Sequence, residues 1–118
     1  MGGEFLQDTG NRPLPGGTSA VVFAHLVGQA PDVRNRVHRY LHVNGWVALR
    51  LTGVAAMDPA NASFTGLFNT LTDQRWSPRW CDTFEVEPGW LPPIIDGRQD
   101  LGTLRPRVAA ELGVPAGV

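Results

Sequence analysis

The sequence is short of cysteine, of net charge and of long apolar runs, and each shortage removes a class of protein. Cys81 is alone among 118 residues, which rules out an internal disulfide and agrees with a reducing cytosol. Ten basic against eleven acidic side chains leave a net charge of −1. A nucleic-acid partner calls for a basic stripe, so none is expected, and a small helix-turn-helix DNA binder is argued against on the same ground. The apolar runs are short and interrupted, so no membrane span is expected. Met1-Gly2-Gly3-Glu4-Phe5 lacks a basic region followed by an apolar core, so no signal peptide is read there and the expected location is cytoplasmic. Internal repeats and low-complexity tracts are also absent.

What is present suits one small domain with many turns. A chain of this length buries roughly two thirds of its unfolded surface, and 42% hydrophobic residues suffice for a core. Glycine and proline, at 14 and 10 residues, imply short elements. Residues 1–9 read as a non-core N-terminal segment, and Thr9–Gly17 as a loop. Thr18 caps an apolar segment, Ala20–Val27, closed by Gly28. Pro31 opens a second helix with Asp32 in its first turn. Tyr40–Val43 is rich in strand formers and reads as a brief strand. Asn44 caps a helix through Trp46, Val47, Leu49 and Leu51, with Gly53 as its left-handed end.

Asp58-Pro59 is the sharpest start signal: a capping carboxylate followed by a proline whose missing N–H costs nothing there. Phe64, Leu67 and Phe68 continue at helical spacing and predict one buried face. Ser77-Pro78 repeats the device ahead of an apolar stripe of Trp80, Cys81 and Phe84. Leu101–Leu104 reads as an edge strand. Pro106 opens the last helix, with Val108, Ala109 and Leu112 inward and Gly113 as its cap. The expectation is a mostly helical chain with a few short strands.

Local chemistry is sparse. Gly16-Gly17-Thr18 is a weak phosphate turn, with no strand before it and no lysine at P-loop spacing after it. His38 and His42 stand four apart, but the glutamate of a zinc-protease helix is missing and the segment looks extended. Cys81 sits on an apolar stripe and reads as core. Asn61-Ala62-Ser63 fits a glycosylation pattern that has no meaning without secretion. Trp46, Trp76, Trp80 and Trp90 could stack on sugars, yet all fall where periodicity calls for packing. Asp82, Glu85, Glu87, Asp96 and Asp100 form no convincing glycosidase pair.

The order of motifs says more than any one of them. Arg50-Leu51-Thr52-Gly53, Asp58-x-x-Asn61-Ala62-Ser63, Trp76-Ser77, Leu91-Pro92, Gly102-Thr103-Leu104 and Ala109-Ala110-Glu111-Leu112-Gly113-Val114-Pro115-Ala116-Gly117 follow one another. In that order and at those gaps they resemble the middle of the N-terminal half of an FGGY-family carbohydrate kinase of the xylulokinase kind, from about Gly10 to Val118. The resemblance implies an α/β fold of the ribonuclease-H-like, actin-like type, with residues 10–118 as a partial N-terminal domain. It implies transfer of the γ-phosphoryl of ATP, with Mg²⁺, to a hydroxyl of a ketose, polyol or sugar acid. The family's Asp-x-Gly-Thr phosphate hairpin does not occur in this sequence, nor does its catalytic Asp in a Gly-rich strand end. The 118 residues alone are therefore expected to bind no ATP or Mg²⁺ and to be inactive.

The resemblance assigns this stretch the sugar-side wall of the cleft. Asp58, Asn61 and Ser63 are the implied substrate contacts, with Pro59 where some members carry an aromatic residue. His25 takes the place of a substrate-contacting tryptophan when aligned backwards from Pro31; aligned forwards from Gly17-Thr18, that place falls on Val22 or Ala24. Gly45 stands where many members have Asp. The expected partner is a small sugar or polyol, with self-association through exposed apolar surface. The alternative is a non-catalytic helical binding module built on the same piece of fold.

Overall fold

The computed structural model describes residues 2–118, and among them the regular structure is helical. Seven α-helices run α1 (Gly2–Thr9), α2 (Ser19–Gln29), α3 (Pro31–Arg34), α4 (Val43–Thr52), α5 (Pro59–Ser63), α6 (Pro78–Thr83) and α7 (Pro106–Leu112), with a 3-10 turn at Pro88–Trp90. Four of the α-helices place proline in their first turn, where its fixed φ costs no hydrogen bond. Asp58 and Ser77 act as the sequence predicts: each side chain accepts the N–H of the third residue on. Gly53 and Gly113 end α4 and α7 in the left-handed conformation, which a side chain would strain.

The strands predicted at Tyr40–Val43 and Leu101–Leu104 do not form among the described residues. Only isolated bridges occur, Met57 parallel to Ile94 and Phe68 antiparallel to Trp76. Tyr40 donates its N–H to Trp90 O, and Leu104 to Val118 O; each is one bond where a ladder needs several. Extended backbone with one partner residue is not a strand, however high its β-propensity.

The N-terminal segment, expected to lie outside the core, is instead one of its supports. Phe5 on α1 is fully buried and packs edge-on against Trp80, centroids 5.0 Å apart, and against Phe84 at 5.9 Å. Asp8 accepts from the Trp80 indole N–H at 3.0 Å. Glu4 pairs with Arg79, whose guanidinium lies 4.7 Å over the Trp80 ring. Gly2 and Gly3 make a poor helix start, but burying a phenyl ring stabilises by about 1.5–3 kcal/mol, enough to override local propensity. Around this pair gather Ala20, Tyr40, Leu67, Cys81 and Val86. Burial pushes the Cys81 thiol up to about 11, so it packs as an apolar residue.

Several expected inward faces are open. Trp46 is 56% exposed and Phe64 62%, and Val47 and Leu112 are exposed too. Helix α5 stops at Ser63, so Phe64 is its cap, while Leu67 and Phe68 are buried from the loop beyond. The molecule extends over 50 × 33 × 22 Å with a radius of gyration of 16.0 Å, against ~13.5 Å for a compact chain of this length. Its accessible surface of 7471 Å² likewise exceeds the roughly 6,300 Å² of a compact monomer of this mass.

Candidate functional site

The Asp58 cap fixes more than a helix end. One carboxylate oxygen accepts the Asn61 backbone N–H at 3.0 Å and the other accepts the Asn61 side-chain amide at 2.7 Å. Both bonds favour the anion, so the Asp58 carboxyl lies below its ordinary pKa, chiefly through the Asn61 backbone N–H. With its NH₂ turned to Asp58, the Asn61 amide has its oxygen on the other side. The His42 ring lies near this pair.

His42 is the N-cap of α4 by backbone and makes no side-chain cap hydrogen bond. Its Nε2 is 3.0 Å from the Ser19 hydroxyl, and the Tyr40 hydroxyl donates to Ser19 at 2.7 Å. The result is a polar chain, Tyr40–Ser19–His42, joining α2 to the segment before α4, with the Asn61–Asp58 pair of α5 nearby. Burial lowers the His42 pKa, opposed by the nearby Asn61 amide and the Asp58 charge. The imidazole is therefore neutral at neutral pH. Tyr40 is buried and its phenol is pushed up to about 12, against the Ser19 bond.

This chain meets a groove of about 580 Å³, with Ser19, Tyr40 and His42 on its polar side and Val22, Phe23 and Leu26 on its apolar side. Concave apolar surface with a few fixed polar groups is what a small polar ligand needs. Two local contacts position it. Ala20 N–H donates to Thr65 O at 2.9 Å, tying the first turn of α2 to the exit of α5. The Asn11 amide donates to Ser63 O at 2.6 Å.

Of the implied contacts, the structure brings Asp58 and Asn61 together. Ser63 is in the same helix but its hydroxyl turns back to Ala60 O at 2.6 Å. His25 is exposed on α2 and does not line the groove; of the two forward-alignment choices, Val22 lines it and Ala24 does not. Gly45 is buried, and a Cβ there would sit 3.4 Å from Ala56 O, so the backbone is packed closely at that point. Of the tryptophans, Trp80 is core, Trp76 and Trp90 are half-buried and Trp46 faces outward.

Sequence reasoning passed over His42 except as a metal partner of His38, and did not weigh Ser19 or Tyr40. The two histidines lie on extended chain rather than one helix face. Among the described residues no three His, Cys, Asp or Glu side chains converge. Thr18 is buried with its hydroxyl on Arg12 O, so Gly16-Gly17-Thr18 is no phosphate cradle. No helix among the described residues is long and apolar enough to cross a membrane.

Comparison with known proteins places these features. The profile described as the FGGY family of carbohydrate kinases, N-terminal domain, matches residues 2–118. The chain is 34% identical over 96 residues to an erythritol kinase of Brucella abortus (strain 2308), an alignment covering 80% of this chain and 18% of that protein. A xyloylose kinase from Brucella ovis superposes with a TM-score of 0.88 at 28% identity, over 98% of this chain and 24% of the other. A Plasmodium falciparum glycerol kinase solved with ADP superposes at 0.83 with 22% identity, over 99% and 24%. The chain thus spans about a fifth of the length of the curated relatives it matches. With the family profile running through all the described helices, the chain belongs to the FGGY family of carbohydrate kinases, as part of the N-terminal domain.

Proposed function

We propose that this chain forms the sugar-side wall of an ATP-dependent kinase that phosphorylates a hydroxyl of a ketose or polyol such as xylulose. The observation that carries the reading is Asn61, an amide held by Asp58 in the first turn of α5. Such an amide can donate to and accept from sugar hydroxyls in one fixed orientation, and pre-organised groups of this kind lower the cost of binding. The apolar side of the groove suits the C–H face of a sugar chain. ATP supplies the phosphoryl group in such a reaction, and the groups that hold it are proposed to lie in other parts of the whole protein. The α/β architecture of the resemblance belongs to the same proposal: the extended segments at 40–42 and 101–104 would find sheet partners there.

The role of these residues is to bind and orient, not to move the phosphoryl group. In the full-length protein, Asn61→Ala removes a neutral hydrogen bond worth about 0.5–1.5 kcal/mol, or roughly a three- to tenfold rise in sugar KM. The KM for ATP stays within twofold. Steady-state kinetics over a panel of ketoses and polyols tests it. An unchanged sugar KM with only a lower melting temperature would make the motif scaffold and overturn the reading.

A further inference from the structure

We infer that the cleft between α4 and α7 is a binding site for a phosphate-bearing small molecule, held by the guanidinium groups of Arg50, Arg105 and Arg107. The cleft has a volume of about 630 Å³ and is bordered by these three arginines with Pro106, Val108 and Glu111. Three guanidiniums against one carboxylate leave its lining at +2, in a chain whose net charge is −1. That one carboxylate is engaged: Glu111 accepts from Arg107 Nε at 2.9 Å. Among the described residues no carboxylate pairs with Arg50 or Arg105.

Both of these arginines are nonetheless held in place. The Arg105 backbone N–H donates to Leu51 O at 2.8 Å, tying the start of α7 to the end of α4. A Cβ on Gly53 would lie 3.3 Å from Arg105 Nε, so the guanidinium rests beside the left-handed end of α4. The open carbonyls and dipole of a helix end favour a cation there. The Arg50 guanidinium carbon is 5.9 Å from the centre of the Trp46 ring. The ring takes one face of the guanidinium and leaves the N–H donors at its edge available. Donors fixed before a ligand arrives lower the cost of binding it.

The geometry favours phosphate over carboxylate. A carboxylate has two oxygens in one plane and is satisfied by a single arginine fork, whereas the oxygens of a phosphate point apart and take donors from several elements at once. A nucleic acid calls for a long basic stripe, which this near-neutral chain does not offer. A concave cleft of this size suits a small molecule. It shares no lining residue with the groove at Ser19, Tyr40 and His42, so the inference stands independently of the sugar-wall reading.

Pyrophosphate is the probe, titrated calorimetrically into the full-length protein at fixed ionic strength. Arg50→Gln and Arg105→Gln should each weaken its binding about two- to fivefold, the range expected for exposed charge pairs. The double variant should weaken it further. Glu111→Gln should do the opposite and tighten binding, because it releases Arg107 from its carboxylate. A surface that merely attracts anions would show no saturation with pyrophosphate, and that result overturns the inference. So does saturable binding that none of these changes alters, which would come from elsewhere in the protein. A glutamate-rich peptide is the second probe: if it shows the pattern of gains and losses and pyrophosphate does not, the occupant is a protein segment and the inference fails.

Discussion

Gly66→Ala should be among the most damaging single-methyl changes in this chain. Gly66 has φ +77, and a Cβ built there would lie 2.3 Å from the Thr18 methyl and 3.0 Å from Phe5 Cζ. Neither neighbour can step aside. Thr18 is 3% exposed with its hydroxyl on Arg12 O at 3.0 Å, and Phe5 is fully buried between Trp80 and Phe84. The left-handed backbone costs a non-glycine residue roughly 1–2 kcal/mol, and forcing a methyl into a filled core costs about 1–3 kcal/mol more. Together these remove on the order of 2–5 kcal/mol from a domain that has only about 5–15 to lose. Urea unfolding followed by tryptophan fluorescence reads the change. Gly16→Ala is the control: φ is +74 but nothing lies within 4 Å, so only the backbone cost of about 1–2 kcal/mol applies. Thr18→Ser in the Gly66→Ala background removes the methyl that clashes and keeps the hydroxyl, so it should recover part of the loss. A Gly66→Ala protein within about 0.5 kcal/mol of wild type would refute the close packing at this joint.

Tyr40 is the one tyrosine of the chain, and its phenol is held up to about 12 by burial. An ultraviolet titration should show no phenolate until well above pH 10, with the associated stability intact below pH 10 and lost between there and about 12; reversible ionisation centred near 10 with the circular dichroism unchanged would disprove the burial. The exposed apolar side chains, among them Leu14, Val43, Trp46, Phe64 and Leu71, should make the 118-residue chain bind a hydrophobic dye and associate as its concentration rises; light scattering of a monomer at all concentrations, with no dye binding, would count against this.

How much of this was legible in the sequence depended on the range of the interaction. Asp58 and Ser77 cap over three residues, and Gly53 and Gly113 end helices through their own φ, so short-range signals located them. The Asp58–Asn61 pair was legible for the same reason: three positions within one turn fix their geometry. Phe5 was not, because its stabilisation comes from rings at Trp80 and Phe84, seventy-odd residues away. The strand signals at Tyr40–Val43 and Leu101–Leu104 describe residues suited to a sheet, but a strand is a property of two segments, and here each has one bonded residue opposite it. His42 shows the limit most plainly. Beside His38 it reads as half of a metal pair; only when α2 brings Ser19 within 3.0 Å does its ring acquire a direction. That approach depends on the Ala20–Thr65 hydrogen bond, and the Thr65 carbonyl adjoins Gly66, the residue whose missing side chain admits Thr18 and Phe5. The joint that Gly66 allows is therefore the same joint that sets Ser19 against His42. A methyl at Gly66 should accordingly loosen the Ser19–His42 hydrogen bond as well as lower stability, through the position of α2, and the histidine ring signals in an NMR spectrum should shift.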